Sequence, residues 1–166
     1  MKNFSLFKNN TLCIICAKSN SEGLPNKNIK KINGKPLLTY ALDKAKKNKF
    51  KFICISTESN KVVKLANKKK IKVFFKRSKN LCKRNVSKLN VWKDAIKKSE
   101  QYFKKKFKYI LDIEVTNPLI DYKDVKKFTN SFFKQNLKYD GQFCITPAKK
   151  NPYFNLMEYK NRKYIL

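Results

Sequence analysis

A chain of 166 residues that is 42% apolar and 13% aromatic is long enough to bury one core, and one domain is expected over residues 1–166. It contains no run of about 18 apolar residues, which argues against a membrane-spanning helix and makes a membrane partner unexpected. Lys and Arg number 41 against 11 Asp and Glu, a net charge of +30, and so strongly basic a balance raises the suspicion of nucleic acid.

The start, MKNFSLFKNN, lacks the apolar stretch and cleavage site of a signal peptide, so a cytoplasmic location is expected; residues 1–10 are polar and expected to fray. Residues 11–17 form a short apolar run and predict a buried strand. A polar loop over residues 18–35 follows. Pro36 suits a first helical turn, after which Leu37, Leu38, Ala41, Leu42 and Ala45 share one helical face. Residues 50–57 predict a second strand. Ser59 caps a helix to about Lys69, with Val62, Val63, Leu65 and Ala66 as its apolar face. Residues 72–76 predict a third, short strand.

Residues 80–90 are polar and carry no clear pattern. Val91, Ala95, Ile96 and Phe103 have near-helical spacing and predict a helix over residues 91–104, with Trp92 on its core face or at a pocket rim. Residues 109–115, YILDIEV, read as a central strand that Pro118 ends. Asp121 or Asp124 opens a helix to about Gln135. Gly141 precedes a further strand at residues 142–146, and residues 151–166 alternate aromatic and polar residues like a hairpin.

Strands alternating with helices predict an α/β fold with a three-layer, mostly parallel sheet. Ligands of such sheets sit beyond the carboxyl ends of the strands. The loop after the first strand, the turn at residues 56–58 and the segment after Val115 all fall on that edge. The first loop holds Ser19, Asn20, Ser21 and Gly23 between Lys18 and Lys27. Backbone N–H groups in a small-residue loop can point at an anion, and a lysine can neutralise it. A plain strand-to-helix connection would have the same spacing.

Five cysteines are present, Cys13, Cys16, Cys54, Cys82 and Cys144, with no histidine. Cys13 and Cys16 point to opposite faces of a strand and cannot begin a zinc site. Small buried thiols in a reducing compartment account for the set. Only Arg77, Arg84 and Arg162 are arginines; the lysines are spread along the whole chain among many asparagines. That spread reads as compositional drift, so specific nucleic-acid binding is not expected, although salt-sensitive sticking to polyanions is.

The residues AKSNSEGLPNKNIKKINGKPLL resemble the signature loop of the acylneuraminate cytidylyltransferases, the CMP-sialic acid synthetase family. That family reads roughly A-R-x-x-S-K-G-L-P-x-K-N-I-x-x-x-x-G-K-P-L. Ala17, Ser21, Gly23, Leu24, Pro25, Lys27, Asn28, Ile29, Gly34, Lys35, Pro36 and Leu37 match it. CISTESNKVVKLA resembles V-S-T-D-S-x-x-I-x-x-x-A, and FFKRSKNL resembles F-L-R-P-x-x-L. VSKLNVWKDAI is similar to the segment that follows the family's D-T, and ILDIEVTNPLID to V-D-L-D-x-T-S-P-L-R. KNPYFNLMEYK resembles K-N-P-Y-F-N-M-V-E of the branch acting on bacterial sugars such as legionaminic acid. The likeness runs from Leu12 to the end of the chain.

The resemblance implies a Rossmann-like nucleotidyltransferase fold of the nucleotide-diphospho-sugar transferase type. It implies transfer of CMP from CTP to a nine-carbon 2-keto acid, a nonulosonic acid of the N-acylneuraminate or legionaminate type, with release of pyrophosphate and use of magnesium. Carried over by position, Lys18 and Lys27 hold the triphosphate and are the catalytic candidates. Ala17, Asn20, Ser21, Gly23 and Asn28 line the nucleotide loop. Lys76 and Ser87 lie near the nucleotide or sugar, Glu114 and Asn117 between base and sugar, and Asn151 and Tyr153 at the sugar pocket. Asp112 and Glu114, two residues apart and on one strand face, are the weak metal candidates. Ser87 could equally be an ordinary loop position.

The departures weaken cation placement. Lys18, Lys76 and Ile120 stand where the family has arginine, Glu22 where it has lysine, Glu58 and Glu114 where it has aspartate, and Arg84 where an aspartate is usual. A lysine keeps the charge but loses the arginine fork. The family is dimeric, and its dimerisation segment and metal-holding aspartate pair are expected to be missing from this sequence. Three readings stay open: a working enzyme, a truncated domain that binds nucleotide but turns over poorly, and a lysine-rich RNA-binding module.

Overall fold

The computed structural model describes residues 7–19, 21, 23–134, 139–145, 158–160 and 163–165. They belong to two compact units, Met1–Gln135 and Asn136–Leu166. In the first unit, strand β1 (Thr11–Cys16) leads through a loop to the two-residue strands β2 (Lys31–Ile32) and β3 (Lys35–Pro36). Helix α1 (Leu37–Lys47), strand β4 (Phe52–Ser56), helices α2 (Asn60–Lys68) and α3 (Lys88–Phe103), strand β5 (Tyr109–Asp112) and helix α4 (Tyr122–Lys134) follow. The second unit contains β6 (Glu158–Lys160) paired antiparallel with β7 (Lys163–Ile165), which accords with the expected hairpin.

The main sheet has the order β4-β1-β5 and both pairings are parallel, with Ile14 opposite Cys54 on one side and Asp112 on the other. A parallel sheet covered by helices on both faces needs strands that are apolar on both faces. In β1, Cys13 and Ile15 join one core cluster, while Leu12 and Ile14 join the other. Helices α1, α2 and α4 cover the first face with Leu38, Ala41, Leu42, Val62, Ala66 and Val125. Helix α3 covers the second with Ala95, backed by Trp92, Ile96 and Phe103. This is the expected three-layer α/β arrangement. Cys13 and Cys16 lie on opposite faces, and burial pushes the Cys16 thiol up to about 11 and the Cys54 thiol up to about 12, so neither is a thiolate at neutral pH.

Caps follow the sequence. Ser59 Oγ accepts the Val62 N–H, and the Asp121 N–H donates to Asp124 Oδ2 at 2.9 Å to open α4. The C-terminal ends break the usual rule. Lys49, Lys70 and Lys104 take the left-handed position, at φ 56°, 57° and 51°, where glycine is the ordinary choice. With three glycines in the chain, that strain falls on lysines.

Several expectations change. Residues 72–76 form no strand; Val73 packs on one core cluster and Phe74 and Phe75 on the other, so the segment is held by side chains and by the Arg77 N–H to the Thr57 carbonyl at 2.8 Å. Residues 142–145 form no strand either, and Thr146 lies outside the described residues. The strand read as central at residues 109–115 stops at Asp112 and lies at an edge of the described sheet, because β1 takes the middle place. Pro36 precedes α1 with extended geometry and does not occupy its first turn. Helix α3 starts at Lys88, three residues before the expected point, because Ser87 caps it by accepting the Asn90 N–H. Residues 7–9 do not fray: Phe7 is buried in a helical turn, 4.9 Å from the Tyr109 ring. No helix among the described residues is long and apolar enough to cross a membrane.

Candidate active site

The loop after β1 is tied down from two sides. The Ala17 N–H donates to the Ser56 carbonyl at 3.0 Å, and Thr57 Oγ1 donates to the Ala17 carbonyl at 2.6 Å. Ser19 then gives both its N–H and its hydroxyl to Glu58 Oε1, each at 2.6 Å. Burial works against the Glu58 charge, but the two Ser19 bonds outweigh it and hold the carboxyl below its usual range. Farther along, Asn28, buried, donates from Nδ2 to the Lys18 carbonyl at 2.8 Å. Asn26 sits at φ 56°, a turn asparagine tolerates, and brings Lys27 back toward Lys18.

Beyond the carboxyl ends of β1, β4 and β5 this loop borders a cavity of about 230 Å³. Its wall carries the cations Lys18, Lys27, Arg77, Lys83 and Lys88, and the carboxylate of Glu114. Ser21, Asn28 and Thr116 add polar groups, and Val86, Val91 and Val115 add apolar wall. Among the described residues no carboxylate pairs with Lys18, Lys27 or Lys83. Such a wall repels itself unless an anion enters, and several converging cations suit a polyphosphate better than a single phosphate. A larger groove of about 380 Å³ lies by Phe50, Lys51, Ile71 and Tyr102, at the amino end of β4, away from the edge where ligands of parallel sheets sit.

Arg77 is the best-anchored cation of the wall. Its Nε donates to Ser56 Oγ at 2.9 Å and its Nη2 to the Ser56 carbonyl at 2.6 Å, both buried. On the opposite wall the Lys88 ammonium contacts both Asp112 and Glu114. Burial pulls the Lys88 pKa down, yet the two carboxylates outweigh it and keep the ammonium charged well past neutral pH. Asp112 is more deeply placed; burial raises its carboxyl above the ordinary range by more than Lys88 returns. The Trp92 N–H donates to Asp112 Oδ1 at 3.4 Å, so Trp92 is both core and rim. Below the segment after β5, buried Lys44 donates to the Asn117 carbonyl; burial lowers its pKa in spite of Asp121 and Asp124.

Of the residues singled out from sequence, Lys18, Ser21, Lys27, Asn28 and Glu114 line this one cavity. Ala17 supports it from beneath through its backbone. Gly23 is outside the wall, with nothing within 4 Å of where a Cβ would stand, so no close approach requires glycine there. Lys76 is turned to Asn60 Oδ1 at 2.7 Å on the surface and is not on the wall; Arg77, one position later, is. Ser87 is a helix cap. The Asn117 carbonyl is held by Lys44, and Thr116 rather than Asn117 faces the cavity. Asn20, Asn151 and Tyr153 lie outside the described residues. Arg77, Lys83 and Lys88 were not foreseen. For Arg77 a partial signal existed: it is one of only three arginines in a chain rich in lysine.

Asp112 and Glu114 share one face, as expected, but they do not form a metal site. Magnesium asks for six oxygen ligands in near-octahedral order. These two carboxylates converge on Lys88, and the described residues contain no group of three His, Cys, Asp or Glu able to hold an ion. The described residues do not by themselves fit a protein-held divalent ion.

A family model described as Cytidylyltransferase matches residues 12–159. The chain is 40% identical over 156 residues to post-translational flagellin modification protein B of Campylobacter coli. It is 41% identical over 155 residues to CMP-N,N'-diacetyllegionaminic acid synthase of Campylobacter jejuni subsp. jejuni serotype O:2. Each match covers 93% of this chain and 65% of the relative, so the chain spans somewhat less than two thirds of the length of these curated relatives. A solved CMP:2-keto-3-deoxy-manno-octonic acid synthetase complexed with CTP superimposes with a TM-score of 0.59 at 17% identity, over 76% of this chain and 48% of that one. A cytidylyltransferase from Leptospira borgpetersenii serovar Hardjo-bovis gives 0.57 at 23% identity, over 75% and 49%. At these identities the two structures speak for the fold.

Proposed function

This chain belongs to the cytidylyltransferase family, and we propose that it transfers CMP from CTP to a nonulosonic acid of the legionaminate type. The observation that carries the reading is the wall of five cations at the carboxyl ends of three parallel strands. Lys18 and Lys27 reach from the loop after β1, Arg77 and Lys83 from the chain after α2. Between them they counter the charge of a triphosphate. The anomeric hydroxyl of the sugar attacks the α-phosphorus, the bond from that phosphorus to the bridging oxygen breaks, and pyrophosphate leaves with the electron pair. The hydroxyl proton passes to solvent. The cations stabilise charge as it grows on the leaving oxygen, the largest kind of contribution a fixed site makes. Ser21 and Asn28 shape the nucleotide loop.

The sugar class is supported by the 41% identity to a CMP-N,N'-diacetyllegionaminic acid synthase and by the run at residues 150–160, in which Asn151 and Tyr153 would border the sugar. Magnesium, if it takes part, is carried in by the nucleotide, because Asp112 and Glu114 do not fit a resident ion. A cytoplasmic location agrees with use of CTP.

The test is pyrophosphate release with CTP and a panel of nonulosonic acids, beside ATP, GTP and UTP, together with melting curves in each nucleotide. Release that needs CTP and one sugar supports the reading. Absence of release, with all four nucleotides protecting the fold alike, overturns it in favour of a general polyanion site.

A further inference from the structure

Lys88 stands in the first turn of α3, on the cavity wall, and its ammonium meets Asp112 and Glu114 at once. Asp112 ends β5 and Glu114 follows two residues later, beyond the strand, and both carboxylates turn to the same ammonium. The second oxygen of Asp112 accepts from the Trp92 N–H, and Lys88 Nζ lies 5.2 Å from the centre of the Trp92 ring. Two carboxylates and an aromatic face are the surroundings a bound cation seeks. Here a side chain of the protein supplies the cation.

We propose that Lys88 is a built-in cation: it fills the position between Asp112 and Glu114, so that this pair takes no divalent ion, and it presents its own charge to the cavity. What that charge does rests on the CTP reading above; that it fills the position does not. A tethered ammonium competes as an intramolecular ligand, at high effective concentration. Magnesium gives up its water reluctantly and would gain only two carboxylates. It would also have to enter beside Lys18, Lys27, Arg77 and Lys83, all of its own sign. The two acids thereby change role. They hold Lys88 in place, and Lys88 stands at the cavity wall as a fixed ammonium, a charge and hydrogen-bond donor without the coordination demands of a metal.

Trp92 is the sole tryptophan of the chain and touches Asp112, so it reports on this spot. Terbium(III), a hard oxygen-seeking ion, is titrated onto the full chain without nucleotide, with excitation of Trp92 and detection of terbium emission. The wild type is expected to give no saturable emission. Lys88→Met, which keeps the stem and removes the charge, is expected to give saturable emission that magnesium competes away and that adding Glu114→Gln abolishes. Saturable emission from the wild type that Glu114→Gln alone removes would overturn the proposal. So would a folded Lys88→Met that binds no terbium. If Lys88→Met does not fold, Lys88→Gln takes its place, and the wild-type titration decides by itself. Because no nucleotide is present, failure here leaves the CTP reading standing, and failure of CTP to protect the fold leaves this result standing.

Discussion

Replacing Arg77 by methionine removes two hydrogen bonds that both end on Ser56, at 2.9 Å to Oγ and 2.6 Å to the carbonyl. Arg77 is 5% exposed and Ser56 is fully buried, so water does not take over the lost donors. Hydrogen bonds from a charged group contribute about 1.5–3 kcal/mol each, and a methionine stem keeps most of the packing, so a loss of about 3 kcal/mol is expected. For a chain of this length each kcal/mol moves the melting midpoint by about 2–4 °C, which gives a fall of about 6–12 °C. Arg77→Lys keeps the charge and one donor but not the fork, and should lose about half as much. Urea and thermal melts followed by circular dichroism, with an unchanged denaturant slope, measure both. If Arg77→Met lies within about 1 kcal/mol of the wild type, or if lysine equals arginine, the fork on Ser56 does not anchor the cavity wall.

Further outcomes follow from the same geometry. Lys27→Ala should cut CTP-dependent pyrophosphate release by about 100-fold, the size of one lost electrostatic contact, with little change in melting temperature; unchanged turnover would remove Lys27 from the mechanism. The Glu58 clamp on the Ser19 loop should depend on pH. Its folded pKa lies below the ordinary value, so its stabilisation is complete above the unfolded value of about 4.3 and is lost as pH falls through the folded one. Glu58→Gln should therefore flatten the acid side of the stability curve, read from denaturant midpoints between neutral and acidic pH; an unaltered acid limb would show that the clamp is not ionic. Lys104→Gly should raise stability by about 0.5–1 kcal/mol, because relief at φ 51° exceeds the freedom added to the unfolded chain, whereas Lys104→Ala should not. Equal effects of the two in urea unfolding would refute the strain argument.

The alternation of strand and helix was legible because it is written in local periodicity. The apolar run at residues 11–17 predicted a buried strand, and it is β1, Thr11–Cys16, with side chains in both core clusters. The faces of α1 and α2 and the Ser59 cap followed from spacing and side-chain chemistry. Helix ends were less legible, since lysines stand where glycine would mark them. Residues 72–76 have a strand's composition, but a strand needs a partner ladder, and no local pattern states whether one exists.

The sequence by itself determined the three-layer class, the family, and the gathering of Lys18, Ser21, Lys27 and Asn28 on one loop, since those residues are neighbours along the chain. Tertiary structure decided what lies opposite that loop. Arg77 rather than Lys76 faces inward, because the guanidinium is fixed by Ser56, 21 residues earlier. Lys88 meets Asp112 and Glu114 across 24 and 26 residues, which turns two metal candidates into the seat of a lysine. Periodicity reports which side of an element is buried. It cannot report which charges from distant elements meet, because that depends on how helices cross the end of the sheet.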